Sequence, residues 1–452
     1  MGVQSYEVVE GIALDGLSEA PRLQIGRRTA ITLALFGRLG VVWLPLYAML
    51  QSRVPSLAGG LELTTVLALV WFVGLHKAFE AARLTLLSLG PATAAALGTA
   101  LGWIAASAAS VWVDLHLAPV DLLETAVTVF ILSWVWESVV TRSVAARRRV
   151  LMIGSDETRS VAAEVRGNRD LPFEICGIVD SERPQDIAAS VQEHRPDIVV
   201  LGDEGRTDVL ESLLDLAGFG FKLVGVAEFY EHAFGRVPVE TLRVSWFANV
   251  LHLYQRPYTR AAKRGFDVAV AAIGLLAVSW VLPILWLAVK RCNGAGPVIF
   301  RQTRLGEGGR HFTIYKFRTM RNDAEATGAV WASQDDPRIT KLGKLMRKTR
   351  LDELPQLVNV LMGDMSIVGP RPERPEFLEQ LHEAVPFWTR RHLVKPGITG
   401  WAQVRRGYTA DAGGTAEKLA YDLWYLRHRS LVIDLAICVK TFTTCVTGSG
   451  AR

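Results

Sequence analysis

Residues 266–291 read "FDVAVAAIGLLAVSWVLPILWLAVKR", and the path this segment takes decides how the whole chain is laid out. Its apolar part, 268–289, is long enough to cross a bilayer as a helix. Lys263 and Arg264 stand before it, and Lys290 and Arg291 follow it. Basic flanks mark the cytoplasmic side, so both ends claim the same face of the membrane. Pro283 lies inside the run, where it removes a helical hydrogen bond and can bend the segment. A helix that dips in, bends at Pro283 and returns satisfies both features. A straight crossing would strand the remaining 160 or so residues on the opposite side.

Upstream, four more apolar stretches cover 29–50, 61–80, 92–113 and 119–140, each about the 20 residues of a spanning helix. Arg22, Arg27 and Arg28 precede the first. Lys77 and Arg83 separate the second from the third, and Arg142 and Arg147–Arg149 follow the fourth. Apart from Arg53, the other two connections lack Lys and Arg, which places both ends of this bundle in the cytoplasm. Arg38, Glu124 and Glu137 are among the charges inside it, expected to snorkel or to pair between helices rather than to mark a transport path. The composition agrees: of 452 residues 50% are hydrophobic, and mean hydropathy is +0.22. The net charge of +5 does not call for nucleic acid. Cys176, Cys292, Cys438 and Cys445 show no CxxC spacing, against a disulfide framework or a zinc site. Residues 1–28 carry acids and no signal-peptide pattern.

Between bundle and bent segment, 147–250 reads as alternating strand and helix. "RRRVLMIGSDETRSVAAEVR" is a strand, a glycine turn and a helix, and "FEICGIVD" and "PDIVVLG" are further strands. A dinucleotide loop would repeat glycine after Gly154, but Asp156 and Arg159 occupy those positions. A Rossmann-like domain without a bound cofactor is expected, in a structural or regulatory role.

The last third carries the chemistry. "GPVIFRQTRLG" holds Arg301 and Arg304, "FTIYKFRTM" holds Lys316 and Arg318, and "GDMSIVGPRPERPEF" sets Arg371 between two prolines. A Pro-Arg-Pro turn fixes a guanidinium with little entropy left to lose, which suits phosphate recognition. "KLGKLMRKTRLDEL" ends in the adjacent carboxylates Asp352 and Glu353. The bland reading is a helix start, with Asp352 as cap and Pro355 in the first turn. The sharper reading is phosphoryl transfer, in which one acid binds Mg²⁺ and the other attacks phosphorus. No histidine falls in these motifs beside a Ser or Cys nucleophile, which argues against a Ser-His-Asp hydrolase. "DLAICVKTFTTCV" at 434–446 reads equally as an interfacial helix or a core helix.

Together "KRGFD" (263–267), "GPVIFRQTRLG" (296–306), "YKFRTM" (315–320), "TRLDELPQLVNVLMGDMSIVGPRP" (349–372), "KPGITGWAQV" (395–404) and "YDLWYL" (421–426) make the chain resemble the bacterial polyprenyl-phosphate hexose-1-phosphate transferases. These initiate exopolysaccharide and capsule synthesis. The resemblance is strongest over 260–445. It implies transfer of hexose 1-phosphate from a UDP-hexose, UDP-glucose or alternatively UDP-galactose, to undecaprenyl phosphate, with release of UMP and a need for Mg²⁺. It makes Asp352 the nucleophile of a phosphosugar-enzyme intermediate and Glu353 the metal ligand. Lys316, Arg350 and Arg371, with Arg301 and Arg318 nearby, would hold phosphates, and Asp422 would give polar support. The family bends its re-entrant helix at an adjacent Ser-Pro; here Ser279 and Pro283 are separated.

The expected architecture is therefore a membrane protein of mixed class. A cytoplasmic segment (1–28) precedes a four-helix transmembrane bundle (29–146) and a Rossmann-like α/β domain (147–250). The re-entrant membrane helix (267–291) then opens a mainly α cytosolic phosphosugar-transferase domain (260–452). The expected setting is the bacterial inner membrane, multi-pass, with the catalytic domain in the cytoplasm and the lipid bilayer as a partner. Bundle and middle domain are where a homodimer would form. The rivals from other classes are a transporter, a nucleotide-sensing regulator and an inactive scaffold. A transporter would need polar paths in the bundle, a regulator an intact phosphate loop, and a scaffold leaves the acid pair without a task.

Overall fold

The computed structural model describes residues 27–51, 57–84, 91–112, 119–144 and most of 147–447. The exceptions in that last span are 155, 169–170, 181–183, 203–206, 215, 217–219, 240–241, 243–245, 248–256, 295, 323, 325–335 and 407–411. The chain divides into two compact units, residues 1–76 with 95–146, and 77–94 with 147–452.

The first unit is helical: α1 (Arg27–Gln51), α2 (Leu57–Leu84), α3 (Pro91–Trp112) and α4 (Pro119–Val144), with the end of α2 and the start of α3 assigned to the second unit. Among the described residues two helices are long and apolar enough to cross a membrane, at Thr32–Gln51 and Val120–Val140. Shorter apolar runs lie at Leu61–His76 and Ala94–Ala108. Phe36, Leu44, Val66 and Val127 face outward although large and apolar, an arrangement suited to lipid rather than water. By length and composition this is a membrane protein. α1 and α4 pack closely because Gly37 leaves room for the ring of Trp136. Arg38 and Glu137 form a buried ion pair between them, and Arg38 Nη1 also meets His76 Nδ1 at 3.2 Å. Pairing across helices is how a charge survives in such surroundings.

The second unit opens with a parallel sheet of β1 (Arg148–Ile153), β2 (Phe173–Val179), β3 (Ile198–Leu201) and β4 (Lys222–Gly225), in spatial order β2-β1-β3-β4. Val150 and Met152 face a core completed by α5 (Asp156–Gly167) and α8 (Val226–Phe234). Leu151 and Ile153 face the opposite core, under α6 (Pro184–His194) and α7 (Thr207–Leu214). Burial on both faces is why VLMI of β1 and IVVL of β3 read as unbroken apolar runs. Where a dinucleotide loop would lie, Arg159 spans Asp156 at 3.0 Å and Asp180 at 3.1 Å. The domain is joined to the C-terminal region through buried Glu231 of α8. Glu231 accepts from Trp246 Nε1 and Arg427 Nη1, both at 2.8 Å.

The segment that opened the sequence reading forms α9 (Pro257–Val278) and α10 (Val281–Cys292), bent by 66°. The bend falls at Ser279-Trp280, four and three residues before Pro283, where a proline removes the partner of the i−4 carbonyl and crowds it. Pro283 is the third residue of α10, in the first turn, where a missing N–H leaves no bond within α10 unmade. Ser279 Oγ donates to Leu276 O at 2.8 Å and ties off the end of α9.

α9 is anchored at its start. Lys263 Nζ lies 3.1 Å from Asp267 Oδ1 and 2.6 Å from Asp434 Oδ2, and Tyr425 donates to Asp434. Asp267 in turn accepts from Ser366 Oγ and Ile367 N. Asp434 belongs to the last helix, Leu431–Thr447, whose first half enters the core through Ile433, Ala436 and Ile437. Of the two readings of 434–446, the core helix describes that half.

Two small pairings frame the site. Strands Ile299–Leu305 and His311–Phe317 form an antiparallel hairpin, with Arg301 opposite Tyr315 and Phe300 opposite Lys316. Ser366–Val368 and Gly397–Thr399 pair in parallel. The backbones of Gly369 and Gly397 then approach so closely that a Cβ on Gly397 would lie 2.1 Å from Gly369 N. Gly369 N donates to Thr399 O and Gly397 N to Pro370 O, both at 2.9 Å. The "GPRP" and "KPGITG" motifs are thus one structure.

Candidate active site

The turn before the acid pair is unusual. Arg350 takes a left-handed conformation (φ 60°, ψ 14°), which costs energy in a residue with a side chain. A short 3₁₀ turn, Leu351–Glu353, follows, and its three-residue period throws consecutive side chains about 120° apart. Leu351 goes to an apolar cluster with Phe317 and Met346. Asp352 and Glu353 are both buried, 8% and 7% exposed, and they diverge. The helix Gln356–Met362 starts after Pro355, so Asp352 is not its cap. That corrects the helix-start reading.

Glu353 is saturated with positive charge. Its Oε1 lies 3.1 Å from Arg371 Nη2 and 3.3 Å from Lys316 Nζ, and its Oε2 lies 3.3 Å from Arg350 Nη1. Burial would raise its carboxyl, but Arg371, Lys316 and Arg350 outweigh that and hold it well below the usual carboxylate range. Asp352 differs. No hydrogen bond or ion pair to it occurs among the described residues, and Lys316, Arg347 and Arg371 act on it only at longer range. Burial, and then the neighbouring charge of Glu353, push its pKa up to about 6. Burial also lowers Lys316, against the pull of Glu353, to about 8.

Lys316, Glu353 and Arg371 line a small cleft that opens to solvent, and Asp352 and Arg350 lie just outside its lining. Its walls include Lys316, Glu353, Arg371, Arg304 and Gln356, together with Gly397 and Ile398. Arg304 is braced from Gln302 Oε1, at 2.6 Å, and from Pro372 O, at 3.0 Å. The hairpin contributes Lys316 and Arg304, the Pro-Arg-Pro turn Arg371, and the 3₁₀ turn the acid Glu353.

Of the residues named from sequence, Asp352, Glu353, Lys316, Arg350 and Arg371 come together. Three do not. Arg301 is exposed and lies over the ring of Tyr315, and it is Arg304 that turns into the cleft. Arg318 is buried, donating to Gly294 O at 2.8 Å and Asn322 Oδ1 at 2.5 Å, so it holds the turn after α10. Asp422 sits 2.6 Å from Arg391 in a separate buried cluster. Gln356 was missed. It lies four residues after Asp352 in the same motif, and its place in that motif is the available signal.

Residues 258–448 match the family model described as bacterial sugar transferase. The chain is 42% identical over 227 residues, half of its length, to a UDP-N-acetylgalactosamine-undecaprenyl-phosphate N-acetylgalactosaminephosphotransferase of Aeromonas hydrophila, covering 53% of that protein. It is 33% identical over 313 residues, 65% of its length, to an undecaprenyl-phosphate glucose phosphotransferase of Komagataeibacter xylinus, covering 58% of it. It is 39% identical over 191 residues, 41% of its length, to the exopolysaccharide production protein PSS of Rhizobium leguminosarum bv. phaseoli, covering 95% of it. The chain thus spans somewhat over half the length of the first two and nearly all of the third.

Proposed function

This chain belongs to the bacterial sugar transferase family, and from that premise we propose that it moves a hexose 1-phosphate from a UDP-sugar to undecaprenyl phosphate. UDP-glucose is the first donor to try, with UDP-galactose and UDP-N-acetylgalactosamine as the alternatives. The similar glucose and N-acetylgalactosamine enzymes keep more than one donor in view. The product would be the first lipid-linked intermediate of an exopolysaccharide or capsule.

The observation that carries this reading is the unequal acid pair. Asp352 is buried, unbonded and raised to about 6, so at neutral pH it is mostly ionised and poorly stabilised, as a nucleophile should be. Its carboxylate oxygen attacks the hexose-bearing phosphorus, the bond to the UMP oxygen breaks, and UMP leaves. An oxygen of the lipid phosphate then attacks the same phosphorus, and the acyl-phosphate bond breaks to free Asp352 and the lipid diphosphate sugar. Lys316 and Arg371 offset charge on the transferring group, and Glu353 holds both cations in place.

The donor set suits a hard cation such as Mg²⁺ that arrives on a diphosphate. Asp352 and Glu353 offer only oxygens, and among the described residues no three acid, His or Cys side chains gather as a metal cage. Glu353 would share such an ion with the substrate's phosphates, and the ion would supply charge neutralisation to the departing UMP.

In this reading the bent α9–α10 pair enters one leaflet and returns, the N-terminal region supplies four spanning helices in the inner membrane, and the site is on the cytoplasmic side. Trp280 at the bend and Ile273, Leu276 and Ile284 beside it are exposed, which supports insertion in lipid. A cytosolic site could then meet a lipid phosphate at the interface.

The test is UMP release by the full chain in detergent, with Mg²⁺ and each UDP-sugar in turn. Without lipid one UMP per enzyme is expected, together with a hexose-phosphate mass increment on Asp352. Turnover is expected only with undecaprenyl phosphate. No burst and no increment from any of the three donors would reject the reading.

A further inference from the structure

Gln356 opens the helix that follows the acid pair. It is only 2% exposed, it lines the cleft with Lys316, Glu353 and Arg371, and its Nε2 has no hydrogen-bond partner. A buried primary amide that donates to nothing destabilises the protein that carries it. Its neighbour Asn359, one turn on and wholly buried, shows the ordinary use of such a group. Asn359 Nδ2 donates to Thr313 O and its Oδ1 accepts from Tyr315 N, so it fastens the hairpin to the helix. Gln356 fastens nothing through its nitrogen. It lines the same cleft as the cations, four residues beyond Asp352 in the chain.

We propose that Gln356 is a catalytic residue whose side-chain amide donates a hydrogen bond to a non-bridging oxygen of the transferring phosphoryl group. This inference rests on the phosphotransfer reading above. The surroundings select a phosphoryl oxygen over a sugar hydroxyl, because Gln356 stands among Lys316, Arg371 and Glu353 and would meet the group those cations attract. A neutral donor complements them. It adds a directed hydrogen bond without adding positive charge that would bind the leaving UMP more tightly. An aimed donor that has no water shell to shed resembles the fixed N–H groups of an oxyanion hole, which act most as charge develops.

This assignment separates two readouts that a structural glutamine would move together. Gln356→Met keeps the volume and removes the donor. The UMP burst rate and kcat should fall by roughly 10²–10³-fold, as for loss of one such donor, while KM for the UDP-sugar stays within about threefold and Tm holds or rises. Gln356→Glu keeps the shape and replaces the donor with an acceptor. It should lose burst rate by at least about 100-fold, and it serves if the Met variant does not fold. Full burst rate in either folded variant overturns the proposal, and so does a fall in kcat that only tracks a lower Tm. Wild type and Asp352→Asn run beside them. No burst from the wild type would mean that the phosphotransfer reading itself is wrong. A wild-type burst absent in Asp352→Asn and intact in Gln356→Met would sink this inference alone.

Discussion

Two buried ionic clusters lie in the C-terminal region, built from the same ingredients and finished differently. At the cleft, Asp352 and Glu353 face Lys316, Arg350 and Arg371. In the core, Glu373 and Asp422 face Arg391 and Lys418. The core cluster balances. Glu373 takes Lys418 at 2.7 Å and Arg391 at 3.1 Å, Arg391 reaches Asp422 at 2.6 Å, and its guanidinium rests on the Trp388 ring. The cleft cluster does not balance. It holds more cations than acids, one of its acids is unbonded, and it opens to solvent. Burying surplus positive charge is costly unless something anionic completes it. Perturbed groups alone do not mark a functional site, since both clusters contain them. The incomplete one is the candidate.

The largest effect should come from the unbonded acid. Asp352→Asn keeps the shape and removes the nucleophile, so UMP release should drop by about 10⁴-fold or more, in line with loss of a nucleophile elsewhere. Tm should hold or rise, because a neutral amide is easier to bury there than a carboxylate beside Glu353. An active variant, measured by the lipid-free burst, would return Asp352 to a structural role. Next in size is Arg371. Arg371→Ala should cost roughly 10²–10³-fold in kcat/KM, and Arg371→Lys should recover little of it, since a point charge does not replace a planar fork. Full recovery by Lys would mean that charge alone matters at that wall of the cleft.

Much of this contrast can be read along the chain, and the rest cannot for local reasons. The acid pair and the cations of "YKFRTM" and "GPRP" are close to their motifs in sequence, and each motif carries its own rigidity. The hairpin is different. Arg301 and Arg304 are separated by an odd number of positions, so they take opposite faces of the strand, and which face meets the cleft depends on packing against the helix that Asn359 fastens. Arg318 belongs to the same basic run as Lys316, but the turn at Asn293 and Gly294 has carbonyls to satisfy and takes it. The bend of α9–α10 is legible in Pro283, because a proline disrupts the helix at the residue four before it, and the chain turns at Ser279-Trp280. The buried strands of the middle domain were legible because burial on both faces leaves continuous apolar runs.

The pH profile sharpens the comparison at about tenfold per pH unit. Asp352 attacks when ionised, and its raised pKa of about 6 means that activity is lost as pH falls through that value. Lys316 stabilises charge when protonated, and its lowered value of about 8 means that activity declines as pH rises through it. A bell with limbs near 6 and 8 is expected in kcat/KM, the limbs belonging to the coupled cluster rather than to either residue alone. Lys316→Arg should remove the alkaline limb. A profile flat from pH 5 to 9 would detach both groups from the rate-limiting chemistry.

The smallest effect on catalysis is expected in the core cluster, and there the comparison is easiest to break. Asp422 is the acid that sequence resemblance assigns to the site, yet its side chain is 3% exposed and its partner is Arg391. Burial raises its carboxyl, and Arg391 and Lys418 pull the other way. Asp422→Ala would leave Arg391 buried with half of its compensation gone, a loss of roughly 3–5 kcal/mol for a broken buried pair. For a unit of this size that is a fall in Tm of about 6–20 °C. The catalytic rate of the protein that remains folded should stay within about threefold, because the ion pairs of this cluster join only its own members and none reaches Asp352, Glu353, Lys316 or Arg371. One route connects the two clusters: Glu373 follows the Pro-Arg-Pro turn, and its backbone carbonyl accepts from Leu305 N at 3.0 Å. Loosening Arg391 could therefore reach Arg371 through Glu373. Rates and melting temperatures of Asp422→Ala and Asp422→Asn separate the possibilities. A fall in Tm with kcat preserved keeps the clusters distinct. A fall in kcat with Tm preserved would make the balanced cluster a positioning device for Arg371, and closure of an ion network would no longer tell scaffold from site.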